Sequence, residues 1–189
     1  MTTVRIPPLA PAHHPTEVRE LLASIPYPPA RTGNGNTTVA QHPALFIASF
    51  PFSGVLLFSG VLPARDRELV ILRTAHLADS TYVLTHHRGF GLRAGLTETE
   101  VARTAAGPEA EGWSPHDAAL LTAADELHRL AVISDDTWNQ LAARYDTPQL
   151  IEVTVLAGYY RMWSAALNSF GTAPDPDPAA EEGSGVDIR

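Results

Sequence analysis

The chain has 189 residues, 44% hydrophobic and 18% charged, with a formal net charge of −8. This is the composition of one soluble globular domain able to bury its own core. The negative charge disfavours nucleic acid, whose phosphates need basic patches, and no apolar run reaches the roughly 18 residues that span a bilayer. Cysteine is absent, which excludes disulfides, thiolate metal ligands and thiol redox chemistry.

The opening MTTVRIPPLAPAHH has no apolar leader core, and a cytoplasmic protein is the simplest expectation. Prolines in RIPPLAP and IPYPPA exclude helix interior and flank a short amphipathic helix over residues 17–25, with Thr16 as its N-cap. Residues 31–38, RTGNGNTT, read as a flexible loop from their Gly and Asn content. Two apolar helices follow over 39–48 and 52–59, bent or broken at Pro51.

Pro63 suits the first turn of a helix running to about Ala78. Asp79 and Ser80 supply a break and a new N-cap, and the next helix, over 81–94, ends at Gly95. Thr97 and Glu100 form a capping box. Ser114-Pro115-His116-Asp117 starts a helix through about Val132, with Ala119, Leu120, Ala123, Leu127 and Leu130 at helical spacing. Ser134 caps a helix to Tyr145, and Thr147-Pro148 opens a long one through Ser169.

Period-two alternation never persists, so the chain is expected to be all-helical. Residues 1–36 read as an N-terminal extension with a short helix and loop, and 37–172 as the helical domain. The stretch 173–189 has the composition of a disordered acidic tail. Five acids against Arg189 place half of the net charge in those last residues.

Glu68 stands among Leu69, Val70, Ile71 and Leu72, on one helical face with Ile71, Leu72 and Ala75. A carboxylate in apolar surroundings needs a partner or a task. A first-turn acid complementing the helix dipole and pairing with Arg65 or Arg67 is the structural alternative. His86 and His87 lie about 100° apart on the next helix and cannot face one pocket together. His86 shares a face with Tyr82 and Arg93, and His87 with Val83, Gly91 and Ala94. The small residues beside His87 imply close helix packing, which points His87 inward and leaves His86 at a rim or interface. On the last helix, Tyr160 or Arg161 facing a cavity could bind an oxygenated substrate.

His76, His86, His87 and the Asp125–His128 stretch offer metal ligands, but none has the HExxH spacing, so no metal is expected. No GxSxG elbow marks a serine nucleophile. Ser80 is explained as a cap, and the GNG of residues 33–35 lacks the strand and glycine spacing of a phosphate loop.

The run RDRELVILRTA, followed by YVLTHH, RAGLTETEVA, DELH and NSFG, resembles the carboxymuconolactone decarboxylase family within the alkylhydroperoxidase D-like superfamily. The resemblance covers most of residues 5–173 and is most specific between Glu68 and Gly95. It implies an all-α, alkylhydroperoxidase D-like orthogonal bundle, assembled as a dimer, trimer or hexamer with the site near a subunit boundary. In the peroxidase branch a CxxC pair precedes a histidine by seven and four residues, with a glutamate upstream. Counting back from His87 places Ser80 and Val83 at the cysteines and Glu68 at the glutamate, so thiol peroxidase activity is excluded in this register. In the decarboxylase-like branch a glutamate commonly stands where this chain has Val83.

These readings imply a cofactor-free enzyme moving a proton on a small organic acid, lactone or polyketide-like metabolite by decarboxylation, isomerisation, elimination or cyclisation. His87 is its general acid/base, Glu68 orients His87 or shares its proton, and Tyr82, His86, Tyr160 and Arg161 are candidate substrate contacts. The alternative is a non-catalytic small-molecule binding or assembly protein on the same scaffold. Neither reading involves nucleic acid or a membrane.

Overall fold

The computed structural model describes residues 3–25 and 28–175. Among them the order is α1 (Thr16–Ala23), α2 (Pro28–Thr32), α3 (Asn34–Val39), α4 (Pro43–Gly54), a π-helical turn (Val55–Ser59), α5 (Ala64–Leu77), α6 (Thr81–Arg93), α7 (Glu98–Arg103), α8 (Pro115–Leu130), α9 (Asp135–Ala142) and α10 (Thr147–Phe170). The described residues form helices and connecting turns without strands, the all-α class expected from the sequence.

Helix α5 is the axis of the bundle, packed by α6, α8 and α10. Every residue from Asp66 to Ala75 is buried, so the helix has no solvent face and its charges must be matched internally. Asp66 accepts from the Tyr145 hydroxyl at 2.6 Å, and His116 lies 3.2 Å from the same carboxylate. Arg73 grips Asp125 with two nitrogens and donates to the Thr104 and Ala105 carbonyls. Leu69, Ile71 and Leu72 fill the space between, joined by Leu120, Leu121 and Leu156.

Several local signals act as expected. Ser114 and Ser134 accept from Asp117 and Thr137 amides, and Thr97 with Glu100 closes a capping box. A second capping box, Asp146 with Gln149, starts α10 at Thr147, where the Thr147-Pro148 signal placed it. At Asp79 the backbone turns left-handed (φ 50°), which breaks α5 from α6. Ser80 holds the N-cap position of α6 without a side-chain bond to its amides.

The N-terminal third departs from expectation. Pro15, not Thr16, is the N-cap of α1, which stops at Ala23. The RTGNGNTT stretch is not a loop: it contains the end of α2 and most of α3, with Gly35, Thr37 and Thr38 buried. Tertiary packing here overrides weak propensity, because Tyr82 lies over Gly35 where a Cβ would approach its ring to 2.7 Å. His42 caps α4 by accepting from the Leu45 amide, and α4 runs through Pro51 without a break. A π-helical turn, Val55–Ser59, follows directly. No helix among the described residues is long and apolar enough to cross a membrane.

Candidate active site

Helix α6 owes its placement to Gly91. A Cβ there would lie 3.3 Å from Leu72 and 3.1 Å from Leu96, so glycine permits the close approach of α6 to α5. That approach carries His87 inward, where it is 6% exposed, against Glu68, which is 0% exposed. His87 Nδ1 lies 2.7 Å from Glu68 Oε2. The other carboxylate oxygen accepts from Arg67 Nε at 3.0 Å. Glu68 thus joins a cation on its own helix to an imidazole on the next.

A carboxylate partner assigns the proton on Nδ1 and leaves Nε2 as the nitrogen free for chemistry. Among the described residues no group bonds to Nε2. The ring is held edge-on by Tyr160 at 4.8 Å between centroids and flanked by Phe90 at 5.3 Å.

His87 lines a cavity of about 160 Å³ between α3 and α4 on one side and α6 and α10 on the other. Its walls are mostly apolar, including Phe46, Phe50, Leu57, Phe90 and Trp163. Polar residues on its wall include Asn36, Tyr82, His86, His87, Tyr159 and Tyr160, so the two histidines, expected to face apart, border one cavity. Val83, at the place where the resemblance expects an acid, is part of the apolar lining. An apolar hollow with the His87 imidazole at its wall suits proton transfer at carbon, which water would compete with.

Of the six residues anticipated from sequence, the structure brings five together: Glu68 behind His87, with Tyr82, His86 and Tyr160 on the cavity wall. Arg161 is corrected. One residue beyond Tyr160 turns the side chain about 100° around α10, so Arg161 donates to the Leu127 carbonyl and borders a separate hollow with Thr74 and His128. Sequence reasoning missed Asp175, which lies in the stretch read as disordered tail yet bonds to Tyr82 and His86. It also left Arg67 as one of two possible partners for Glu68. Arg65 instead spans Asp117 and Glu100. Residues 176–189 of the expected tail lie outside the described residues. No group of three or more His, Asp or Glu among the described residues could hold a metal ion.

Burial first, then the Glu68 charge, pushes the Tyr160 hydroxyl well above the ordinary tyrosine range. Burial is also the main cause of the upward shifts at Tyr82, Tyr145 and Tyr159. A folded-state pKa above the unfolded value stabilises the fold below about pH 10, and that contribution fades as pH rises further. The expected result is that these four tyrosines gain tyrosinate absorbance only together with loss of helical circular dichroism. Titration of all of them near pH 10 in an intact helical protein would contradict their burial.

The sequence profile of the carboxymuconolactone decarboxylase family matches residues 43–126. No curated protein matches the sequence. Among solved structures, the chain is similar to the alkylhydroperoxidase AhpD core of an uncharacterized peroxidase-related protein from Ralstonia eutropha JMP134. That likeness has a TM-score of 0.80 at 16% identity, covering 93% of this chain and 94% of that one. A peroxidase-related protein from Silicibacter sp. TM1040 gives 0.75 at 12% identity, covering 86% and 87%. The debrominase Bmp8 gives 0.69 at 14% identity, covering 95% and 97%. These likenesses show the shared fold.

Proposed function

We propose that the protein, whose residues 43–126 match the profile of the carboxymuconolactone decarboxylase family, is a cofactor-free enzyme that moves a proton on a small, largely apolar organic acid or lactone. The observation that carries this reading is the buried Glu68–His87 bond of 2.7 Å opening onto an apolar cavity. Neutral His87 would take a proton through Nε2 from carbon beside a carbonyl, while Glu68 stabilises the imidazolium that forms. The protonated ring would return the proton at the same or a neighbouring carbon. Such a cycle serves isomerisation, elimination, cyclisation or the protonation that follows decarboxylation. The family branch with a CxxC pair offers no thiol chemistry here, because Ser80 and Val83 stand in those places. The Bmp8 debrominase, crystallised in a mutant form with 2,3,4-tribromopyrrole, supports the reading that this fold accommodates a small ring compound. We further propose, from the resemblance, that the chain works as a homo-oligomer in the cytoplasm.

Solvent deuterium exchange tests the reading without knowledge of the full reaction. The wild-type chain is incubated in deuterium oxide with a panel of small acids and lactones bearing an acidic C–H, and exchange is read by mass spectrometry. Catalysed exchange at the carbon beside the carbonyl is expected, and its loss in His87→Gln. A compound that binds and returns unexchanged and unconverted from every member of the panel would favour the binding-protein alternative.

A further inference from the structure

We propose that Tyr82, His86 and the backbone amide of Asn34 form a carboxylate-binding subsite at the edge of the cavity, that Asp175 fills it from within the chain, and that a small carboxylic acid with an apolar body displaces Asp175. The inference rests on reading this cavity as the ligand site and adds the chemical class of the ligand.

After α10 ends at Phe170, the chain turns back across α3. Asn34 Nδ2 donates to the Ala173 carbonyl at 3.1 Å, and the Asn34 amide donates to Asp175 Oδ1 at 2.6 Å. The second oxygen, Oδ2, takes His86 Nε2 at 2.8 Å and the Tyr82 hydroxyl at 3.3 Å. Both carboxylate oxygens are therefore held, by donors from α3 and α6.

The donors are fixed by other contacts. The Gly35 amide donates to the Tyr82 hydroxyl at 3.0 Å, which occupies a lone pair and leaves the hydroxyl proton for the carboxylate. The Tyr82 ring stacks on His86 at 4.3 Å between centroids, and Gly35 beneath it admits no larger residue without displacing the ring. His86 Nδ1 faces the Tyr82 carbonyl at 3.0 Å while Nε2 faces Asp175. Each ring nitrogen meets an acceptor, and Nε2 is the one aimed at the carboxylate. An imidazole, a phenol and a backbone amide converging on two oxygens match a carboxylate by geometry.

Tyr82 and His86 also line the cavity whose interior is apolar. A ligand whose carboxylate replaces that of Asp175 would lay an apolar body along the same wall towards His87, the next residue of α6. Asp175 then acts as a competitor present at high local concentration, and its removal exposes the full affinity of the subsite.

Isothermal titration of the full chain with benzoate, and with benzamide as its uncharged analogue, tests the subsite. Asp175→Asn and Asp175→Ala are each expected to bind benzoate about tenfold more tightly than the wild type, as for a subsite about nine-tenths occupied from within, with benzamide unchanged. Adding His86→Gln to Asp175→Asn should erase the preference for benzoate over benzamide. Equal benzoate affinity in all forms, an equal gain by benzamide, or no benzoate binding in any form would overturn the proposal. The catalytic reading is judged separately: loss of the benzoate effect with His87-dependent exchange intact removes the subsite alone. Absent exchange with the benzoate effect intact removes the catalysis alone.

Discussion

His87→Gln is expected to lower turnover by about 10²- to 10⁴-fold, the range for a positioned general acid/base, with the helical fold retained. That factor corresponds to about 3 to 5 kcal/mol of barrier. Glutamine has a similar reach and can still donate an amide hydrogen to Glu68, so the buried carboxylate keeps a partner. What it lacks is a ring nitrogen that can take up and release the substrate proton. The loss should therefore fall on kcat, with KM changed less, because the apolar walls that hold the substrate are untouched. The circular dichroism spectrum and melting temperature should stay close to wild type. Activity retained in His87→Gln would reject the assignment, and collapse of the fold would call for the smaller His87→Asn change before any conclusion about chemistry.

Glu68→Leu is expected to be the most destabilising single change in the site, at about 3 to 5 kcal/mol. Glu68 is 0% exposed and answers two groups, the Arg67 guanidinium at 3.0 Å and the His87 ring at 2.7 Å. Arg67 is itself buried, and its guanidinium donates to Glu68 through Nε. Removing the carboxylate strands a positive charge away from water, which is why the loss exceeds that of a surface ion pair. For a chain of this length the melting temperature should fall by on the order of 10 °C. The coupling is testable by a double-mutant cycle: Arg67→Met with Glu68→Leu replaces both charges by apolar groups and should recover most of the stability lost by Glu68→Leu. Simple additivity of the two changes would show that the pair is not coupled. The double variant should remain inactive, since His87 has lost its orienting acid.

The sequence alone determined the helical architecture downstream of Pro63, because caps act over three or four residues. Ser114, Ser134 and the Thr97–Glu100 box each satisfy amides a turn away, and no distant contact is needed to read them. It also determined the register of Glu68 against His87, since an acid inside an apolar run demands a neighbour and the glycine at position 91 marks where α6 can come close. Only the tertiary structure decided the rest. The Gly- and Asn-rich RTGNGNTT stretch has weak helix propensity and becomes part of the cavity wall through Tyr82 packing on Gly35. Arg161 could not be separated from Tyr160 by sequence, as adjacent helical residues point to different sides and the choice depends on what packs against α10. Asp175 left no local signal: its bonds span 89 to 141 residues of chain. Local rules register neighbours along the helix, whereas a pocket is assembled from groups that meet only when the whole chain has folded.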